Sequence, residues 1–183
     1  THETGAIEAC GHKVLTLASD DGKVKVEQLE AAWNEHVNDA NREHVVQPGM
    51  VFISQPTEIG TLYSLKELTE ISEFCRKSGL IFYIDGARLG YALGAPENDA
   101  SLKDITKLTD VFYIGGTKVG ALFGEAVVIP NKEIQKDFRY HMKQHGGLMA
   151  KGRLLGIQFK TLFEDSLYYD ISKQAVAYAL CIK

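Results

Sequence analysis

Short apolar runs alternate along this chain with stretches whose apolar residues recur at helical spacing. Compact runs of strand length occupy residues 50–54, 80–84, 111–114 and 126–129, and a further short strand-like run occupies 13–18. Helical spacing occupies 26–38, 64–78 and 101–108. Continuous apolar strands separated by amphipathic helices are typical of parallel sheets covered on both faces. The pattern therefore predicts an α/β fold with a mostly parallel sheet flanked by helices.

The predicted helix over 64–78 has the clearest boundaries. Ser64 and Glu67 have the spacing of a capping box, and Gly79 stands where a C-terminal cap belongs. The apolar residues of this helix and of helix 26–38 each recur on one face: Leu65, Leu68, Ile71 and Cys75 in the first, and Val26, Leu29, Trp33 and Val37 in the second. We expect both faces to pack against the core.

The end of the predicted sheet differs from the rest. Only residues 115–125 separate the last two strands, which is short for a crossover helix, so we expect this pair to be antiparallel. From residue 131 onward the pattern is helical, with a break at Gly146-Gly147. We therefore predict a sheet domain over 1–137 and, over 138–183, a helical segment leading to a second domain outside this chain. We expect Tyr168 and Tyr169 to pack in that second domain.

Both ends of the chain, and its composition, limit the interpretation. The chain starts without Met and stops inside a predicted helix, so we expect a fragment of a longer protein.

The composition of the chain excludes several classes of function. Its 20 Lys and Arg against 24 Asp and Glu argue against a nucleic-acid partner. No apolar run approaches a membrane span, and no signal peptide is visible. The three cysteines are widely spaced and form no redox or zinc-binding motif. Such cysteine usage is typical of a reducing compartment, so we expect a cytoplasmic protein. His141 and His145 lack an acidic third ligand nearby, so we predict no metal site.

An acid and a lysine follow two of the predicted strands. Asp85 ends the run 80–84, and Lys118 comes after 111–114 in a Gly-Gly-Thr-Lys turn. Each has an ordinary explanation, as an Asp-Gly turn or a solvated lysine. Ligands of open α/β sheets, however, bind at the carboxyl ends of the strands. The glycine spacing fits neither a P-loop nor a dinucleotide fingerprint. Pyridoxal 5'-phosphate (PLP) needs such a pair: an amine for a Schiff base and an anion for its pyridine nitrogen.

The segment Tyr-Ile-Asp-Gly-Ala-Arg-Leu over 83–89 closely resembles the Asp-Gly-Ala-Arg signature of low-specificity threonine aldolases. These enzymes, with the β-eliminating lyases, belong to the aspartate-aminotransferase-like, fold type I PLP enzymes. The resemblance implies that Asp85 pairs with the pyridine nitrogen, that Lys118 carries the cofactor and that Arg88 holds the substrate carboxylate. Two further segments, His2 to Ala6 at the start of the chain and 142–156 around Gly146-Gly147, also resemble segments of the family. The resemblance therefore covers nearly the whole chain.

One segment departs from the family pattern. Threonine aldolases carry a histidine for the substrate hydroxyl where this chain has Ser-Gln-Pro-Thr-Glu over 54–58. Thr57 or Glu58 would take its place. Glu58 is a candidate base, because retro-aldol cleavage needs one, but a surface loop carboxylate is an equally good interpretation. We expect Thr117 to contact the cofactor, and the family's phosphate loop and ring-stacking histidine to lie upstream of Thr1.

The resemblance implies a PLP-dependent amino-acid lyase of the threonine aldolase type. Such an enzyme cleaves the Cα–Cβ bond of a β-hydroxy amino acid to glycine and an aldehyde. The alternatives are another PLP-dependent β-eliminating lyase, an aminotransferase, or a non-catalytic α/β scaffold. In family terms, 1–137 would be part of the PLP-binding large domain, and 138–183 would lead to a C-terminal small domain. Fold type I sites usually form between subunits, so we also expect a homodimer or homotetramer.

Overall fold

Four strands form one sheet in the computed structural model, which describes residues 3–182. They are β1 (Met50–Ser54), β2 (Ile81–Asp85), β3 (Val111–Gly115) and β4 (Glu125–Val128), in that spatial order. The pairs β1–β2 and β2–β3 are parallel, and β3–β4 is antiparallel. The pairing confirms the predicted sheet, including its antiparallel edge. The last pair is antiparallel because residues 116–124 leave no room for a crossover helix.

Helices connect the strands and form the last third of the chain. The α-helices are α1 (Ala6–Ala9), α2 (Val26–Asn38), α3 (Leu65–Ser78), α4 (Leu89–Gly94), α5 (Leu102–Leu108), α6 (Lys132–Gln135), α7 (Phe138–Gln144), α8 (Arg153–Phe163) and α9 (Leu167–Ile182). Short 3-10 turns occur at Glu3–Gly5, Arg42–His44 and Glu164–Ser166. No helix among residues 3–182 is both long and apolar enough to cross a membrane.

The caps predicted for α3 are present. The Ser64 hydroxyl accepts a hydrogen bond from the Glu67 N–H at 3.2 Å, and the Glu67 carboxylate accepts one from the Ser64 N–H at 2.8 Å. Gly79 ends the helix at φ 69°, a left-handed conformation that glycine adopts without a steric penalty. The helix buries Leu68 and Ile71 in the core. Local chemistry therefore fixes both ends of α3, and its apolar face fixes its docking.

The core lies against one face of the sheet. Alternate residues of a strand point to opposite faces, and the inward set is buried: Val51, Ile53, Phe82, Ile84, Phe112 and Ile114. The other face carries Phe52, whose ring stacks on Tyr83 at 5.0 Å, and Tyr113, whose ring is tilted to that of Tyr83 at 6.4 Å. Met50, Phe52 and Val127 are about half exposed. The described residues thus leave this second face partly open.

One expectation about secondary structure was wrong, and one helix was not predicted. Residues 13–18 form no strand, because no neighbouring strand pairs with them, although Leu17 packs against the core. The short helix α4, directly after the Asp-Gly-Ala turn, was not expected. Its six residues include two glycines and an alanine, so they give no recognisable apolar period, and the helix is stabilised by burial of Leu89 and Ala92.

The C-terminal segment packs back onto the sheet domain. Helix α9 lies against α4, and the fully buried Tyr168 donates a hydrogen bond to the Gly115 carbonyl at 3.0 Å. The expectation that Tyr168 packs in a second domain was therefore wrong. The neighbouring Tyr169 packs edge-on against Tyr168. The domain boundary at residue 137 stays a prediction. Thr1, His2 of the opening motif and Lys183 lie outside the described residues.

Candidate active site

Two glycine-containing turns, one after β2 and one at the end of β3, are in direct backbone contact. The Gly115 N–H donates to the Gly86 carbonyl at 2.8 Å. A Cβ on Gly86 would overlap the Tyr113 carbonyl, and a Cβ on Gly115 would overlap the Ala87 carbonyl. Only glycine permits this approach. The contact brings Asp85 and the turn that carries Lys118 together at the carboxyl edge of the parallel strands, as the sequence predicted.

Asp85 is held through one of its two carboxylate oxygens. Its Oδ1 accepts hydrogen bonds from the Ala87 N–H at 2.9 Å and from the Tyr113 hydroxyl at 2.6 Å. Within residues 3–182, no donor reaches Oδ2, and this atom is not completely buried. Burial and the hydrogen bond to Asp85 raise the pKa of the Tyr113 phenol far above its usual value, so the phenol stays a neutral donor. One oxygen is fixed, and the other is free for a ligand.

Tyr113 was not a candidate from the sequence, although a signal was available. In the parallel register, Tyr83 lies beside Val111 and Ile84 beside Phe112. One more step along both strands places Tyr113 next to Asp85 on the same face. The alternation of apolar residues gives the face of Tyr113, but only the register between β2 and β3 gives its partner.

Lys118 lies in an exposed turn whose backbone is held from two sides. The Tyr91 hydroxyl of α4 donates to the Lys118 carbonyl. The next residue, Val119, is fully buried. The Lys118 ammonium makes no ion pair with any carboxylate of residues 3–182. The amine is therefore accessible while its backbone is fixed.

Glu125 binds the turn that precedes Lys118. Its carboxylate accepts hydrogen bonds from the Gly116 N–H at 2.6 Å and from the Thr117 hydroxyl at 3.1 Å. Glu125 reaches this turn because it pairs with Gly115 across the antiparallel strands. Glu125 was not a candidate from the sequence, because only the register between β3 and β4 places it at this turn. The Thr117 hydroxyl, predicted to contact the cofactor, donates to a carboxylate in this structure.

Arg88 and Glu58 come together at the same edge of the sheet. The Arg88 Nη1 donates to the Glu58 Oε1 at 3.0 Å. The two residues lie in the loops that follow β2 and β1, which are adjacent because Ser54 pairs with Asp85. Their side chains are 37% and 56% exposed, and ion pairs this exposed are weak. The pair can therefore open at small cost.

Thr57 is buried and serves its own loop. Its hydroxyl and that of Thr61 are hydrogen-bonded at 2.6 Å, and it also accepts from the Thr61 N–H at 3.1 Å. These bonds hold the loop that presents Glu58. The predicted contact of Thr57 with substrate would require its hydroxyl to leave this arrangement or to share it.

A known protein family matches the part of the chain that contains the candidate site. The family model described as β-eliminating lyase matches residues 1–176, nearly the whole chain. The chain belongs to the β-eliminating lyase family. This confirms the relationship inferred from the Asp-Gly-Ala-Arg and Gly-Gly-Thr-Lys segments.

Individual relatives give a finer comparison. The chain is 36% identical over 173 residues to the low-specificity L-threonine aldolase of a Pseudomonas strain, covering 92% of this chain and 48% of the relative. It is 34% identical over 180 residues to that of Pseudomonas aeruginosa, covering 96% of this chain and 50% of the relative. The solved threonine aldolase of Leishmania major superposes with a TM-score of 0.90 at 50% identity, covering 95% of this chain and 50% of that one. The chain thus spans about half the length of the relatives it matches.

Proposed function

We propose that this chain forms the part of a PLP-dependent amino-acid lyase, of the threonine aldolase type, that carries the cofactor lysine and its carboxylate partner. The observation that carries the proposal is the glycine-to-glycine contact that brings Asp85 and the Lys118 turn to one edge of the sheet. Family membership and the threonine aldolases among the relatives support it. When bound, PLP supplies an electron sink that stabilises a carbanion at Cα.

The residues present fit this cofactor. Lys118 offers an accessible amine to anchor it covalently, and the free Oδ2 of Asp85 offers an acceptor for a protonated pyridine nitrogen. Thr117 lies one residue before the anchor, where its hydroxyl would contact the cofactor. We assign these three residues to cofactor binding.

Substrate binding falls to the loops after β1 and β2. An arginine carries five N–H donors, so Arg88 keeps donors for a substrate carboxylate while Nη1 binds Glu58. Glu58 is our candidate base for the substrate hydroxyl, and Thr57 supports it from the same loop. The reaction would cleave the Cα–Cβ bond of a β-hydroxy amino acid to glycine and an aldehyde.

Other reactions within the family stay open as alternatives. Another β-eliminating lyase or an aminotransferase would use the same Asp85 and Lys118. A non-catalytic scaffold would have the fold without cofactor binding. We favour the aldolase because both Pseudomonas relatives that the chain matches carry that name. We further propose a cytoplasmic homodimer or homotetramer acting on a small amino-acid substrate.

The test is cofactor binding and turnover in the full-length protein. Adding PLP should produce the visible absorption band of a Schiff base, and Lys118→Ala should abolish both the band and threonine cleavage. Asp85→Asn should keep the band but lower kcat by about 10²-fold or more, because the pyridine nitrogen loses its anionic partner. The exposed Lys136→Ala is the matched lysine control and should leave both unchanged. A band that persists in Lys118→Ala, or near-normal turnover in Asp85→Asn, would contradict the proposal.

A further inference from the structure

The Tyr113 hydroxyl donates a short hydrogen bond to the Asp85 carboxylate. Among residues 3–182, it is the shorter of the two hydrogen bonds that this carboxylate accepts. The phenol oxygen lies 2.6 Å from Oδ1, a distance typical of a hydroxyl donating to a charged carboxylate. This contact joins β3 to β2 at the edge where the cofactor is proposed to bind. A role for Tyr113 therefore rests on the proposed function.

The two hydrogen bonds to Asp85 converge on one oxygen. The Ala87 N–H belongs to the turn itself, whereas the Tyr113 hydroxyl comes from the neighbouring strand. Rotation of the carboxylate about its Cβ–Cγ bond would break both bonds and would exchange the bound oxygen for the free one. With both donors in place, Oδ2 is the only oxygen left for a ligand, and its direction is fixed.

The donor is itself rigidly placed. Tyr113 lies in the middle of β3, and its ring sits beside the Tyr83 ring, which in turn stacks on Phe52. Burial of the phenol and its contact with Asp85 keep it protonated, so it cannot become an anion that would repel the carboxylate. Tyr113 thus keeps its hydroxyl as a hydrogen-bond donor and holds it on a strand, whose position is more rigid than that of a loop.

We propose that Tyr113 is a positioning residue: it holds Asp85 in the orientation that directs Oδ2 at the pyridine nitrogen of the cofactor. It touches neither substrate nor reacting atoms. Its loss would leave Asp85 held by the Ala87 N–H alone and free to turn. The consequence would fall on cofactor binding and on the chemical step, and not on substrate binding by Arg88.

The test is Tyr113→Phe in the full-length holoenzyme, which removes the hydroxyl and keeps the ring. A hydrogen bond to a charged group is worth a factor of ten or more. We expect the PLP dissociation constant, measured by absorbance titration, to rise about tenfold and kcat to fall about tenfold, with KM for threonine unchanged. Tyr83→Phe is the matched control, because Tyr83 lies on the same sheet face and its hydroxyl bonds to no residue within 3–182. It should change PLP affinity and kcat less than twofold.

A double-mutant cycle with Asp85→Asn separates positioning from general damage. If Tyr113 acts through the charge of Asp85, adding Tyr113→Phe to Asp85→Asn should change PLP affinity less than twofold. Equal losses in both backgrounds, or a Tyr113→Phe protein indistinguishable from the Tyr83→Phe control, would overturn the inference. Should Tyr113→Phe fail to fold, as judged by its thermal unfolding, its role would be packing and the inference would also fail.

Failure of this inference can be told apart from failure of the proposed function. If wild-type protein gives no Schiff-base band, or if Lys118→Ala keeps it, the proposed function itself is wrong. If that band behaves as expected and only Tyr113→Phe lacks an effect, the cofactor site stands and Asp85 is held adequately by the Ala87 N–H.

Discussion

The Arg88–Glu58 ion pair joins two of the residues proposed to bind substrate. Glu58 occupies one terminal nitrogen of the guanidinium, and no acceptor among residues 3–182 binds the other nitrogens. A substrate carboxylate bound by Arg88 would therefore lie next to the Glu58 carboxylate. The repulsion between two anions favours a geometry in which Glu58 turns away from Arg88 toward the rest of the substrate, where the hydroxyl lies.

Glu58→Gln tests the role of Glu58 as a base. Retro-aldol cleavage needs the hydroxyl proton to be removed, whereas exchange of the glycine α-proton with solvent does not. If Glu58 is the base, the variant should lower kcat for threonine cleavage by about 10²-fold. The rate of glycine α-proton exchange in D₂O, followed by NMR, should fall far less. Equal losses in both assays would indicate that Glu58 only orients Arg88, and normal cleavage would leave it a surface carboxylate.

Among the elements, α3 shows how local sequence and tertiary contacts act on the same residues. Glu67 closes the capping box with one oxygen, and Lys23 binds the other at 2.5 Å. Burial alone would raise the pKa of Glu67, but hydrogen bonds from Lys23 and Ser64 lower it below the ordinary 4.5. The ionised carboxylate therefore stabilises the fold at neutral pH, and this contribution is lost as the pH falls through the lowered pKa.

Ser64→Ala measures the contribution of the cap. The substitution removes the acceptor for the Glu67 N–H, and loss of such a cap costs about 1 kcal/mol of unfolding free energy. We expect this loss in urea unfolding of the full-length protein at pH 7. Ser78→Ala, near the other end of the same helix, is the control, because the Ser78 hydroxyl bonds to no residue among 3–182. Its effect should stay within about 0.5 kcal/mol. Equal effects of the two substitutions would show that the cap contributes nothing specific.

At the scale of the whole molecule, this chain offers few hydrogen-bond donors for the phosphate of the cofactor. Phosphates bind at clusters of free backbone N–H groups. Near Lys118, the Gly115 N–H binds the Gly86 carbonyl, and the Gly116 N–H and Thr117 hydroxyl bind Glu125. The chain also spans about half the length of the relatives it matches. We therefore expect the phosphate site to need residues that these 183 do not supply.

A side-by-side titration tests this expectation. PLP should bind the isolated 183-residue chain at least tenfold more weakly than it binds the full-length protein, measured by absorbance under the same conditions. The chain should also show little lyase activity. Its partly open sheet face, with Phe52 and Val127, favours association, so light scattering should accompany the titration. Equal affinity and equal turnover would show that these residues hold a complete site.

The sequence by itself determined the four strands, the clearest helices and the candidate pair Asp85 and Lys118. Apolar runs and periods gave every strand to within a residue or two, and capping residues gave the ends of α3, because these signals are local. The resemblance around Asp85 and Lys118 gave the family. The same local rules failed for residues 13–18 and for α4, where the decisive factor was whether a neighbour was present to pair with or pack against.

Only the tertiary structure decided which side chains meet. Strand register places Tyr113 on Asp85 and Glu125 on the Lys118 turn, and the adjacency of β1 and β2 places Glu58 on Arg88. It also brings Tyr168 into the core of the sheet domain. These contacts join residues far apart in the chain, and no periodicity or motif encodes a distance across a sheet. The physical reason is that register depends on how strands pack together, which is a property of the whole fold.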